Sequence, residues 1–135
     1  MSEGNRGFTV TVINYTNENF GLSSEAFEHG RWEDTEHYAK PSMIKSLSHC
    51  CFKVCSKSGA LYGVTGTVTW YIDNAQSNRT WSIRFDKPLG DKPSTFTASV
   101  GESSQVYATV TYPPNEGAGG HWANPTVEIR PISKG

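Results

Sequence analysis

Gly63-Val64-Thr65-Gly66-Thr67-Val68-Thr69-Trp70-Tyr71-Ile72 alternates in side-chain character. In an extended chain Val68, Trp70 and Ile72 fall on one face, and Thr67, Thr69 and Tyr71 on the other. Gly63 and Gly66 mark the start of the strand, where backbone freedom is expected. The partner stretch is Arg79-Thr80-Trp81-Ser82-Ile83-Arg84-Phe85-Asp86-Lys87-Pro88-Leu89-Gly90. There Trp81, Ile83 and Phe85 alternate with Ser82, Arg84 and Asp86, and a Pro-Leu-Gly turn follows. A polar connection, residues 73–78, joins the two stretches into a predicted hairpin. One dry face and one wet face per strand is the pattern of a two-layer antiparallel sandwich.

Outward from this hairpin the same signal recurs. Residues 8–13 are β-branched and alternating. Pro41 pushes Lys40 into an extended conformation ahead of a predicted strand over 44–54. In that strand Cys50, Phe52 and Val54 oppose His49, Cys51, Lys53 and Cys55. Residues 94–100, 105–112 and 125–132 are further strands, and Pro131 restricts the last one's end to an edge or to solvent. For residues 20–32 an extended run and a short helix starting at Ser23 or Ser24 both fit the pattern. Asn-rich residues 14–19, residues 56–59 and the Gly-rich stretch 113–120 are turns and loops. The expectation is an all-β, single-domain antiparallel β-sandwich of about seven to nine strands with little or no helix. Residues 1–7 are expected to form a disordered tail and residues 8–135 the domain.

The chain has 135 residues, enough for one core without metal or disulfide staples. Its formal charge of −1 argues against nucleic acid as a partner. Four Trp and six Tyr are a heavy load for this length, and both residue types tolerate a surface that is half wet and half apolar. The polar start and the short apolar run 8–13 do not make a signal peptide, and no window nears the ~20 apolar residues of a spanning helix. Synthesis in the cytoplasm is expected, with any release by a non-classical route. Two N-x-T sequons, at Asn14 and Asn78, are accordingly expected to stay unmodified.

Cys50, Cys51 and Cys55 are crowded and odd in number, which favours reduced thiols. Their spacing is not that of a zinc site, and His29 and His37 lack an i, i+4 relation, so no metal or cofactor is expected. There is no Gly-x-Ser-x-Gly elbow, no His-Glu-x-x-His and no phosphate loop, and the acidic residues around Glu33 are not positioned as a pair. The chain is therefore read as a binding protein and not an enzyme.

Residues 54–68, running Val-Cys-Ser-Lys-Ser-Gly-Ala to Gly-Val-Thr-Gly-Thr-Val, resemble the central segment of the aegerolysins. In that family an Ala-Cys-Gly-Arg-Ser-like run precedes Gly-Thr-Thr-Gly-Thr-Phe. Phe85-Asp86-Lys87-Pro88-Leu89-Gly90-Asp91-Lys92 is similar to the family's Trp-Asp-Cys-Pro-Trp-Gly-Ser-Lys, and Ser94-Thr95-Phe96-Thr97 continues the match. His29-Gly30-Arg31 sits where the family has Trp-Gly-Lys. The ordered set spans roughly residues 8–132. It departs in the aromatics: Phe85 and Leu89 replace tryptophans, Lys87 a cysteine, and His29 a tryptophan. Actinoporin-like cytolysins share the architecture, but the polar residues 1–7 are not expected to form the amphipathic helix that those proteins insert.

The resemblance implies a membrane-lipid binding protein of sphingolipid type, possible sterol dependence included. It implies the lipid-recognition part of a cytolytic or insecticidal pore-forming system, acting with a perforin-like partner and oligomerising on membranes. The contact residues it suggests are Trp32, Phe85, Leu89, Tyr112 and Trp122, with Arg31 and Lys87 for phosphate. Trp and Tyr on loops at one end of a sandwich would enter the headgroup layer. A cation among converging Tyr and Trp rings would make a choline-type cage. The alternatives are an actinoporin-like cytolysin and a carbohydrate-binding lectin that stacks sugars on Trp122 or Trp32, with Asp34, Asn124 or Asp73 on the hydroxyls.

Overall fold

The computed structural model describes residues 6–33, 35, 38–57, 63–73, 78–88 and 93–132. Leu89, Asp34 and the first five residues of the expected tail lie outside the described residues. The described chain contains strands and no helix. They are β1 (Gly7–Asn14), β2 (Phe20–His29), β3 (Arg31–Trp32), β4 (Met43–Ile44), β5 (His49–Cys55), β6 (Val64–Ile72), β7 (Thr80–Lys87), β8 (Thr95–Val100), β9 (Val106–Thr111), β10 (Trp122–Ala123) and β11 (Thr126–Pro131). Eight have six or more residues, and β3, β4 and β10 are two-residue additions.

Two sheets form the sandwich. One runs β3-β5-β1-β11-β9, with β10 also pairing β1; the other runs β4-β2-β6-β7-β8. The predicted central hairpin forms, with Val68 opposite Ile83 and Trp70 opposite Trp81, so its two expected dry faces meet. Residues 20–29 resolve as a strand bent by two register shifts against β6.

The expected all-β sandwich is present with mainly antiparallel sheets, and within the first of them β1 pairs in parallel with β10 and β11. Two expectations are corrected. The predicted strand over 44–54 is broken at residues 45–48, where Leu47 takes φ 54° and turns the chain from one sheet to the other. Gly7, assigned to the tail, is a buried residue of β1 opposite Cys55 and Trp122. Arg6 beside it donates from Nη1 to the carbonyl of Pro88 at 3.0 Å.

The core is an aromatic chain between the sheets. Trp70 and Trp81 stack at 4.4 Å between centroids. Phe20 meets Trp81 edge-on, Phe52 packs on Trp70, and Trp32 packs edge-on to both Phe52 and Phe27. Phe85 then links Phe27 to Phe8. Such pairs add to the burial of 150–250 Å² per ring, which is why a domain this small holds together.

Gly63 and Gly66 supply room and not left-handed backbone. A Cβ on Gly63 would lie 1.7 Å from the Lys87 carbonyl oxygen, and one on Gly66 would lie 2.7 Å from the Ala26 carbonyl oxygen and 3.0 Å from the Phe85 ring.

Asn14 is almost wholly buried. Its amide nitrogen donates to the carbonyls of Glu18 (2.8 Å) and Lys45 (3.1 Å), and its oxygen accepts from the backbone and hydroxyl of Thr16. In the folded chain this sequon is closed to modification.

Candidate lipid-contact site

The outer face of the first sheet is built by parity. Phe8 and Val10 of β1 point inward, so Gly7 and Thr9 point outward. Thr9 is opposite Lys53 of β5, and Gly7 is opposite Trp122 of β10. Lys53 and Trp122 therefore share the outer face on the two sides of β1, with no side chain on Gly7 to keep them apart.

Past β3 the chain stays beside β5 through a hydrogen bond from the Glu33 amide to the Lys53 carbonyl, 2.9 Å. It then turns at Thr35, whose hydroxyl accepts from the Tyr38 amide. This delivers Tyr38 to the same lysine. Lys53 Nζ lies 4.3 Å from the Tyr38 ring centroid and 5.0 Å from that of Trp122. All three side chains are half-buried. The arrangement is a cation held between two amphipathic rings on an open sheet face.

Arg31 stands two positions along β5 from Lys53, opposite Cys55. It lies 3.6 Å from Glu33 and donates from Nη1 to the Trp32 carbonyl. The Cys55 thiol in turn donates to the Glu33 carboxylate at 3.4 Å. Cys50 faces the core, and burial, with the neighbouring Cys51 second, pushes its thiol up to about 12.

The suggested contact residues divide. Trp122 and Arg31 lie on this face. Trp32 does not, because its ring is wedged between Phe27 and Phe52 and packs on the core. Phe85 is 0% exposed and cannot meet a headgroup while the sheet is intact. Its alternation with Trp81 and Ile83 already placed it inward.

Lys87 follows the same parity and is 1% exposed. Its ammonium sits 4.5 Å from the Phe8 ring centroid and donates to the carbonyls of Ala118 (2.6 Å) and Gly120 (2.9 Å). Burial, and then the charge of Arg6, lowers its pKa to about 8. It ties a loop down and is not presented to a phosphate. Tyr112 is half-buried just past β9, where burial raises its phenol pKa.

Lys53 and Tyr38 were missed. The signal for Lys53 was its outward parity in a strand otherwise carrying Cys and His. Tyr38 had no local signal, since it reaches the site only through the tertiary fold.

No family model matches this sequence, and no curated protein matches it. Solved structures do. RahU protein, in a crystal structure with a TRIS molecule, aligns over 98% of this chain and 100% of its own at TM-score 0.74 and 14% identity. The lipid binding protein Nakanori aligns over 96% of this chain and 72% of its own at TM-score 0.73 and 14% identity. IP-1A from Alcaligenes faecalis aligns over 97% and 93% at TM-score 0.68 and 15% identity. The chain thus has the aegerolysin-like fold that its central segment suggested.

Proposed function

We propose that this chain recognises membrane lipids, and that the Tyr38–Lys53–Trp122 face is the part that meets the headgroup layer. The observation that carries the reading is the lysine held between two half-buried rings. Indole and phenol rings gain at a membrane interface because one end is apolar and the other wet. Lys53, with Arg31 beside it, supplies positive charge to lipid phosphate. When Lys53 swings to a phosphate it vacates the rings, and the headgroup's own ammonium or choline takes its place against them.

The fold likeness to a lipid binding protein supports this reading. The aegerolysin resemblance extends it to sphingolipid-type headgroups, with sterol dependence. It further suggests assembly on the target membrane and permeabilisation together with a perforin-like partner. On this reading the chain has no catalytic role, and it reaches target membranes after non-classical release.

Sedimentation with vesicles tests it. Wild type should pellet with sphingomyelin–sterol or ceramide phosphoethanolamine vesicles, and Trp122→Ala should lose most of that binding while remaining folded. Equal failure to pellet with neutral, anionic and sphingolipid vesicles would make the reading untenable. Vesicle leakage with and without a perforin-like protein separates recognition from pore formation.

A further inference from the structure

At the opposite end of the sandwich a cavity of about 220 Å³ opens between the residue 15–18 loop, Arg79 and the end of β11. Its polar side is Asn17, Glu18, Arg79 and Gln105. Its apolar side is the Tyr15 ring with Val106, Pro131 and Ile132.

The charges at its base cancel. Arg79 meets Glu18 through two hydrogen bonds, at 2.6 and 2.8 Å, and also donates to the Ser104 carbonyl. That hydrogen bond holds the Glu18 carboxyl below its ordinary range, so the pair stays ionised and jointly neutral near neutral pH. A phosphate or an ammonium entering here would meet one attractive and one repulsive partner. An uncharged ligand that both donates and accepts meets no such conflict. It would have Glu18 oxygens as acceptors and the exposed Asn17 and Gln105 amides as both.

The walls are held in place. Asn14 locks the loop from below. The Tyr15 hydroxyl donates to Glu128, and Arg130 covers one ring face at 4.0 Å. Three of the four left-handed non-glycine residues of the described chain gather at this end: Leu47 (φ 54°), Asp73 (φ 85°) and Gln105 (φ 60°). The Leu47 amide bonds the Thr16 carbonyl, the Asp73 amide bonds the Asn19 carbonyl, and the Gln105 carbonyl accepts from the Ile132 amide. Strained backbone gathers where the surroundings over-determine a site. Leu47 is 69% exposed and Ile132 54% exposed, so apolar surface is also left open beside the cavity.

We propose that this cavity is a second binding site, for one neutral sugar ring. The ring's hydroxyl edge faces Asn17, Glu18 and Gln105, and its C–H face lies on Ile132 and the open part of Tyr15. The volume is below the range of drug-sized pockets and suits a single ring. A free glycan end and a glycolipid headgroup present the same chemistry. This site shares no residue with the lipid-contact face, and its fate is separable from that reading.

The test is an amide-resolved NMR titration of the full chain with the methyl glycosides of glucose, galactose, mannose and N-acetylglucosamine. A parallel pelleting series uses phosphatidylcholine vesicles with and without glucosylceramide. Saturable millimolar shifts confined to residues 15–18, 105–106 and 132 are expected. Asn17→Ala and Ile132→Ser, both at exposed positions, should each weaken them by about threefold to tenfold.

Shifts with the free glycosides assign a glycan end. Pelleting that requires glucosylceramide and is weakened by the two variants assigns a glycolipid. Neither response, or shifts centred on Trp122, overturns the proposal. Both variants should pellet with sphingomyelin–sterol vesicles as wild type does. A wild type that binds sugar here but no such vesicle would remove the lipid reading alone.

Discussion

Lys87 Nζ donates to the Ala118 carbonyl at 2.6 Å from beneath the loop it restrains, in a position that is 1% exposed. A lysine on the inner face of a β-sandwich strand is unusual, and its titration should govern stability at alkaline pH. The folded pKa, about 8, lies below the ordinary 10.5. Below pH 8 both states carry the proton, and the native state bears the full cost of burying it. Between 8 and 10.5 the unfolded chain holds a proton that the native chain has lost, so stability rises with pH by up to about 3 kcal/mol. Denaturant unfolding across that window should show the rise in wild type. The slope should be absent in Lys87→Met, which relieves the buried charge but leaves the Ala118 and Gly120 carbonyls without their donor. A slope that survives in the variant would assign it to another group.

The glycines of the central hairpin should be intolerant for a steric reason. Gly63→Ala places a methyl 1.7 Å from a backbone oxygen that cannot move without breaking the β6–β7 ladder. A loss above about 3 kcal/mol is expected. Gly66→Ala meets a carbonyl at 2.7 Å and a ring at 3.0 Å, and should cost about 1–3 kcal/mol. Equal, small effects at both positions in thermal unfolding would show that the strands can part there.

How far the fold could be read from the chain follows from these same residues. Strict alternation in β6 and β7 exists because one face is dry and the other wet, so the hairpin and the faces of its strands were readable. That alternation also placed Phe85 and Lys87 inward, against their suggested surface roles. Two features lacked a local signal. The parallel pairing of β1 with β11 joins segments more than a hundred residues apart with no turn to announce it. The bend at Leu47 uses neither Gly nor Pro, because the hydrogen bond from its amide to the Thr16 carbonyl holds the left-handed backbone. The contact face was half readable. Trp122 and Arg31 stood out as types, but Lys53 meets Trp122 only through register across β1, and Tyr38 arrives by the turn that follows β3.

Trp70 and Trp81 look equivalent in the sequence and in burial, and they should respond differently to loss of the indole nitrogen. Trp70 Nε1 donates to the Pro41 carbonyl at 3.1 Å, whereas Trp81 Nε1 is buried with no partner among the described residues. Both Phe variants lose ring area from the stacked pair. Trp70→Phe also strands a carbonyl, while Trp81→Phe removes an unpaired donor. Trp70→Phe should therefore be the more destabilising by about 1–3 kcal/mol in urea unfolding. The reverse order would mean that the Pro41 bond contributes nothing.

The two cations of the proposed contact face should also differ. Arg31 is already engaged by Glu33 at 3.6 Å and by the Trp32 carbonyl, so part of its charge is answered within the protein. Lys53 is held between the Tyr38 and Trp122 rings, at the centre of the proposed contact face. A basic residue near an anionic surface contributes about 1 kcal/mol, or roughly fivefold in affinity. Lys53→Ala should therefore weaken binding to vesicles containing phosphatidylserine by about fivefold at low salt, and by less as salt screens the surface. Arg31→Ala should weaken it by less than about twofold, because Arg31 stands off the two rings, and what loss there is comes from uncovering the Glu33 carboxylate. Pairing it with Glu33→Gln should restore the loss. An Arg31 effect equal to or larger than that of Lys53 would move the contact away from the two rings and toward the β3 edge.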